Sequence, residues 1–300
     1  MFEAKKVLFW YAASPVHMGA GTAVGGLIDN PIQREVHTGH PVLAGSGLKG
    51  ALREVAKSGG VAKEAVDVIF GPPSGQPELH AGALSVSDAQ MVAFPVRALR
   101  TAFVWVTCPT ALARLKRLLT LAGAQAEWDV PSEPAEDKAV IIDEGLKSDN
   151  GKLVLEAFAY DAGKDDGKLA AIADWLANNA LPASGEYEAF RKMLKENLVL
   201  VRDEDFGHFV RFSTSVEPHV RINDETGTAD DGGLFYTENL PPETIMVSML
   251  MASRARKKAS DKQAAEIMNE ALSLIEGKPV QIGGDATTGR GLMIVHAPNA

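Results

Sequence analysis

The sequence predicts an α+β fold in which the two ends of the chain build one sheet around a long insertion. Three observations predict it. The first 125 residues carry strand, helix and strand patterns in that order, and the last sixty carry the same order again. Between them the text changes charge. Residues 1–127 hold 12 Lys and Arg against 9 Asp and Glu, residues 128–240 hold 11 against 24, and residues 241–300 hold 7 against 6. The three parts therefore carry nets of +3, −13 and +1, which together make the −9 of the whole chain.

Each element has its own local reason. Val7 to Ala13, VLFWYAA, is an aromatic and apolar run short enough for a buried strand, and Ser14-Pro15 stops it. The stretch from Gly25 to Gly45 is too rich in glycine, proline and polar residues for a regular element and reads as a long exposed loop. A helix then opens with Ser46 as N-cap and Leu48, Leu52 and Val55 as its buried stripe, and Gly59-Gly60 closes it. Ala62 to Ile69 reads as a short helix, Gly82 to Asp88 and Leu99 to Thr107 as strands, and Thr110 to Ala122 as an amphipathic helix.

In the middle segment, residues 127–150 read as an acidic surface insertion, while Lys168 to Asn179 and Glu186 to Asn197 have helical spacing. Val199 to Arg202 is a short apolar run. Phe209 to Arg221 and Gly233 to Thr237 read as strands about a turn at Asn223-Asp224-Glu225-Thr226-Gly227, which predicts a protruding hairpin from Val220 to Tyr236. Thr244 to Ala252 is a buried-type strand, Asp261 to Glu276 a helix, and Val280 to Ile282 and Leu292 to His296 two closing strands. The order β-α-β, insertion, β-α-β is that of a split βαβ, ferredoxin-like sheet. One domain, 1–300, is expected, with its core from about 1–125 and 241–300 and the insertion and hairpin from about 126–240.

Composition narrows the function. A hydrophobic share of 46% supports a sizeable core, no apolar run approaches a membrane span, and the N-terminus lacks a signal peptide's pattern, so a cytoplasmic protein is expected. A single cysteine, Cys108, excludes an internal disulfide and a cysteine-based zinc cluster, and reads as a small buried hydrophobe. Acidity overall speaks against nucleic acid, but the charge is concentrated in the middle segment and leaves both ends free to meet a polyanion.

Two stretches offer anion chemistry. The GSG start of the helix at Ser46 exposes backbone N–H groups at a positive dipole end, and Lys49, Arg53 and Lys57 follow on one flank. The same cations would also make an ordinary solvated face. Near the C-terminus, GGDATTGRG precedes a strand and is neither a P-loop nor a dinucleotide fingerprint, so a nucleotide cofactor is not expected. Its Gly283, Gly284 and Arg290 can lie along a sugar-phosphate chain or simply form a turn. His17 sits at the end of the first strand beside Gly19, Gly21, Gly25 and Gly26, as a surface residue or a catalyst. Asp29, in Asp-Asn-Pro, is ordinary turn chemistry when read alone.

Taken together, VHMGAG, IDNPIQRE, PVLAGSGLKGALRE, IFG, GALSVSDA, the hairpin VRINDETGTADDGGLFYTENLPPET and QIGGDATTGRG resemble the RAMP superfamily, and within it the repeated backbone subunits of the type III-B CRISPR (Cmr) effector. The likeness spans nearly the whole chain in order. It implies a ferredoxin-like (RRM-like) palm with a hairpin thumb, copies stacked along a CRISPR guide RNA, and contact with other Cmr-complex subunits. By that resemblance Ser46, Lys49 and Arg53 contact guide RNA, with Arg34, Gly283, Gly284 and Arg290 as further RNA contacts. Asp29 would act on single-stranded target RNA as an endoribonuclease with a divalent metal, Mg²⁺ or Mn²⁺, assisted by His17, Glu35 or Glu238. Three functions stay open on the sequence: a guide-directed endoribonuclease subunit, an RNA-binding scaffold that does not cut, and a stand-alone processing nuclease using His17 without metal. A fourth, an acidic domain that binds no RNA, would fit the net charge alone.

Overall fold

The computed structural model describes residues 2–22, 26–76 and 79–298. It is an α+β fold around an 11-stranded mixed sheet. The chain enters through β1 (Ala4–Ala12), then α1 (Gly45–Ser58), α2 (Lys63–Phe70), β2 (Leu84–Val86), β3 (Gln90–Arg97), β4 (Phe103–Thr107) and α3 (Pro109–Ala122). The middle segment adds β5 (Lys138–Ile141), β6 (Leu153–Leu155), β7 (Phe158–Lys164), α4 (Lys168–Asn179), α5 (Glu188–Asn197), β8 (Leu198–Leu200) and α6 (Asp203–Phe212). A hairpin of β9 (Ser215–Ile222) and β10 (Ala229–Asn239) follows, then β11 (Ile245–Ala252), α7 (Ala264–Ile275), β12 (Pro279–Gln281) and β13 (Leu292–His296).

Strands from both ends of the chain interleave. The sheet order is β12-β13-β1-β11-β3-β4-β8-β5-β7-β6, with β2 also paired to β11. β1 lies between β11 and β13 and is antiparallel to both, in registers that set Ala4 opposite Ala252 and Phe9 opposite His296. The middle segment does more than decorate the surface. Its β8 joins β4 in parallel and carries β5, β7 and β6 outward in the same sheet.

The parity of β1 explains why the sheet is covered on both faces. Alternate residues of a strand point to opposite sides, and here Leu8, Trp10 and Ala12 join one core cluster while Val7, Phe9 and Tyr11 join the other. Helices α1, α2 and α7 close the first cluster; α4, α5 and the Leu112 side of α3 close the second. Phe9, Trp10 and Tyr11 are each at most 2% exposed, and burial of such side chains stabilises by roughly 1.5–3 kcal/mol apiece. The Trp10 indole N–H donates to Ser248 Oγ at 2.9 Å, which satisfies the ring's polar atom inside the sheet.

Four local readings change. Ser46 is not the cap of α1: helical backbone already includes Gly45, whose N–H donates to Asp88 Oδ1 at 2.7 Å. A side chain at Gly45 would lie 2.4 Å from the Val86 carbonyl oxygen, so glycine there lets the helix start press on β2. Phe209 to Phe212 are the end of α6 rather than strand, because Phe206, Phe209 and Val210 bury together at helical spacing. β3, which carries Pro95, escaped a sequence reading that treats proline as a strand breaker. Residues 138–141 form β5 rather than irregular surface. Cys108 is fully buried, and that burial pushes its thiol pKa up.

Candidate nucleic-acid interface

Four segments distant in sequence meet at the root of the hairpin. Val16 and Leu240 exchange backbone hydrogen bonds of 3.0 and 2.9 Å, and four residues earlier, along the edge of β10 that β9 leaves free, the N–H groups of Asp29 and Asn30 both donate to the Tyr236 carbonyl, at 3.1 and 3.0 Å. The Glu238 N–H donates back to the Asn30 carbonyl at 3.0 Å. The C-terminal glycine loop completes the group, since Gly284 N–H donates to the His17 carbonyl at 2.9 Å and Gly291 N–H to the Pro15 carbonyl at 2.7 Å. The His17 and Asp29 segments thus both lie along the edge of β10 that β9 leaves free.

Asp29 is exposed but tethered. Its Oδ2 accepts the Tyr236 N–H at 2.8 Å, and no partner of Oδ1 exists among the described residues. The long exposed loop read from sequence is thus anchored at this point: backbone and side chain both tie Asp29 to β10. Gly25, at the other end of that loop, lies outside the described residues.

His17 is half-buried, and its Nδ1 lies 2.7 Å from the Glu238 carbonyl oxygen. A carbonyl only accepts, so Nδ1 carries the proton and Nε2 is the basic nitrogen, packed over Gly19. Gly283 has φ +77°, and a side chain there would come within 2.1 Å of the His17 carbonyl oxygen. Glycine at that position lets the loop lie directly on the His17 segment.

Two residues read as chemical from sequence prove to be consumed by the scaffold. Glu238 is 2% exposed, accepts Arg34 through Oε1, Thr214 Oγ1 at 2.8 Å, and the Ile32 N–H at 3.0 Å. Arg34 also donates to the carbonyls of Gly39 and Val210, both at 2.9 Å, and to that of Arg211 at 3.4 Å. Most of the bonding capacity of both side chains is thus engaged within the protein. Arg290 is drawn to Glu217 on β9, and Glu35 pairs with Arg114 at 2.9 Å. Burial raises the Glu35 pKa, but the Thr38 hydroxyl and Arg114 outweigh it and hold the carboxyl below its usual range.

The anion end of α1 adjoins this group. Met18 packs its side chain against Gly47, so the residue after His17 touches the first turn of the helix. Ser46 and Gly47 are exposed there. Lys49, half-buried, has its pKa lowered by burial first and then by Arg256 and Arg53, a cluster of like charges. Arg53 is shared with Asp67 at 3.4 Å. Asp88, Tyr236 and Arg256 were missed from sequence. Asp88 closes the apolar run GALSVSD and could have been suspected as a cap, but nothing local marks the other two.

Residues 11–294 match the RAMP superfamily. The chain belongs to that superfamily. As a RAMP protein it is 38% identical over 287 residues to the CRISPR system Cmr endoribonuclease Cmr4 of Pyrococcus furiosus, covering 95% of this chain and 92% of that one. It is 25% identical over 307 residues to the CRISPR system CMR subunit Cmr4 of Saccharolobus solfataricus, covering 96% and 94%. The structure of oligomeric Cmr4 from Pyrococcus furiosus superposes with a TM-score of 0.75 at 31% identity, over 98% of this chain and 97% of that one. A chain of the type III-B Cmr-beta complex bound to cognate target RNA shares the fold, with a TM-score of 0.73 at 20% identity over 99% and 98% of the two chains.

A divalent ion finds limited support among these RAMP side chains. No group of three His, Cys, Asp or Glu among the described residues could hold a metal. What fits is an ion held by Asp29 Oδ1 alone together with RNA phosphate oxygens and water, the manner in which Mg²⁺ is often bound. No helix among the described residues is long and apolar enough to cross a membrane.

Proposed function

We propose that this chain is a backbone subunit of a type III-B (Cmr) CRISPR effector: it stacks in copies along a guide RNA and cuts complementary target RNA as an endoribonuclease. The reading treats the chain as one domain with a ferredoxin-like palm. The antiparallel order β13-β1-β11-β3 supports it, being the split βαβ arrangement closed by α1 and α7. The β9–β10 hairpin is the thumb. Guide phosphates would follow the start of α1 at Ser46, where exposed N–H groups and the helix dipole meet negative charge, then Lys49 and Arg53 and the Gly283-Gly284 turn. Arg34 and Glu238 position the Asp29 loop rather than touch RNA. Arg290 holds the glycine loop to the thumb through Glu217.

One observation carries the catalytic part: an exposed carboxylate, Asp29, is held by one oxygen at the thumb's root while its other oxygen stays available. A 2′-hydroxyl beside it could donate to Oδ1 and be aligned for in-line attack on the adjacent phosphorus, the 5′-oxygen leaving and a cyclic phosphate forming. His17, bonded to β10 through Nδ1, leaves Nε2 as a basic nitrogen that could exchange a proton. A Mg²⁺ or Mn²⁺ ion at Asp29 would supply charge neutralisation on the phosphate. The cytoplasm, guide RNA, single-stranded target RNA and other Cmr subunits are the setting this function requires.

The absence of a three-ligand cluster among the described residues favours one rival, a scaffold whose cutting is done elsewhere. Asp29→Asn separates the two, because asparagine can still accept the Tyr236 N–H. In the assembled guide complex the variant should retain target binding and lose at least about a hundredfold in cleavage, a typical share for one positioned acid–base group. Undiminished cutting would make the chain a scaffold. Cleavage of guide precursor by the isolated protein in EDTA, abolished by His17→Ala, would instead indicate processing.

A further inference from the structure

The acidic middle segment carries an aromatic surface that no part of the RNA-binding reading uses. Phe158 at the start of β7 and Phe212 at the end of α6 are 43% and 71% exposed, unusual for such large rings. The His208 ring bridges them, 4.9 Å from Phe158 and 4.8 Å from Phe212. Phe209, fully buried, backs Phe158 at 5.9 Å. The three exposed rings border an open cleft of about 400 Å³ whose lining adds four acids, Glu136, Asp137, Glu204 and Asp205, to two cations, Arg202 and Arg211, the latter already donating to the Thr38 carbonyl.

Glu204 is paired with Arg202 at 2.9 Å, but Glu136, Asp137 and Asp205 have no cation partner among the described residues. Asp205 Oδ2 is buried without any hydrogen-bond partner, and burial raises the pKa of its carboxyl. Rings flanked by unpaired acids repel a nucleic acid. They suit Lys or Arg side chains, whose charge meets the carboxylates while their stems and planes cover the rings.

The chain itself holds such a segment. Between β11 and α7 run Arg254, Arg256, Lys257 and Lys258, none of which forms an ion pair among the described residues. This loop leaves β11 at Ala252, beside Ala4 of β1. The aromatic cleft belongs to the other end of the sheet. β3 passes Ile245 at Ala93 and ends at Arg97, where Glu156 N–H donates to the Arg97 carbonyl and brings the β6–β7 turn alongside. The length of β11, eight residues or roughly 23 Å, separates the two ends. A loop cannot cross that span to its own cleft, but complementary patches at opposite ends of one molecule generate head-to-tail contacts between copies.

We infer that the Arg254–Lys258 loop of one copy docks into the Phe158–His208–Phe212 cleft of the next, so that this contact helps set copy against copy. The inference rests on the reading of copies that stack, and deepens it by naming the two surfaces. The full-length chain is tested without RNA by sedimentation velocity across a concentration series, using a loop variant (Lys257→Glu with Lys258→Glu) and a cleft variant (Asp137→Lys with Asp205→Lys). Circular dichroism checks that both fold. Each variant alone should self-associate about tenfold or more weakly than wild type, as expected for charge reversal at a close pair. An equimolar mixture should recover most of the association, since each reversed patch then meets an opposite one.

Wild-type association that neither variant diminishes overturns the contact while leaving stacking intact. So does weakening that the mixture fails to restore. A wild-type chain that stays monomeric at every concentration overturns stacking itself. A loop variant that loses single-stranded RNA affinity with unchanged self-association assigns the loop to RNA and refutes the inference.

Discussion

The Arg34–Glu238 pair offers a direct test of the division between scaffold and chemistry. Arg34→Met leaves Glu238, whose side chain is 3% exposed, without its cation, while Arg34 itself is 23% exposed. Removing one partner of a buried ion pair costs about 3–5 kcal/mol, and the partial exposure of Arg34 argues for the lower end, about 3 kcal/mol. At roughly 2 °C per kcal/mol for a chain of this size, Tm should fall by about 6 °C. The double variant Arg34→Met with Glu238→Leu removes both charges and should regain more than half of that loss. Scanning calorimetry measures the stabilities, and filter binding measures affinity for single-stranded RNA at fixed salt. An Arg34→Met protein that melts like wild type but binds RNA markedly less well would refute the assignment, and would return the guanidinium to the RNA.

Three further outcomes follow from neighbouring residues. Gly283→Ala, at φ +77° and against the His17 carbonyl, should lower RNA affinity severalfold with a nearly unchanged circular dichroism spectrum, because the loop must lift off its support. Asp88→Ala should cost about 1 kcal/mol, read as a Tm about 2 °C lower, by leaving the first amide of α1 without its side-chain acceptor. Burial raises the Glu243 carboxyl to about 7. Its proton is held more tightly folded than unfolded, so this contribution to stability is full below the unfolded value near 4.5 and is lost as pH rises through about 7. The Tm of wild type should decline across that window relative to Glu243→Gln, and parallel pH profiles of the two proteins would show the carboxyl to be inert.

Much of the architecture was legible residue by residue. The helix at Lys168 to Asn179 and the strand at Leu292 to His296 agree with the structure at both ends, because periodic burial within a dozen residues is enough to specify them. The interface was legible in part. The glycines, Lys49 and Asp29 stand in recognisable local patterns, and of these Asp29, Gly283 and Gly284 meet around the root of one hairpin. The internal partners of Glu238 and Arg34 were not legible, because an acid or a base in a polar stretch looks the same whether it meets solvent, RNA or another side chain.

The sequence by itself determined most of the helices and strands, which of their faces are apolar, and that the net negative charge sits in the middle segment. All of these depend on neighbours a few residues away. Only the tertiary structure decided what each polar group does: that Asp88 caps a helix 43 residues earlier, that Tyr236 tethers Asp29 across 207 residues, and that Glu238 is spent on Arg34 across 204. The partner of a charge is fixed by sheet closure, because burial makes an unpaired charge costly and the fold alone determines which opposite charge comes within reach.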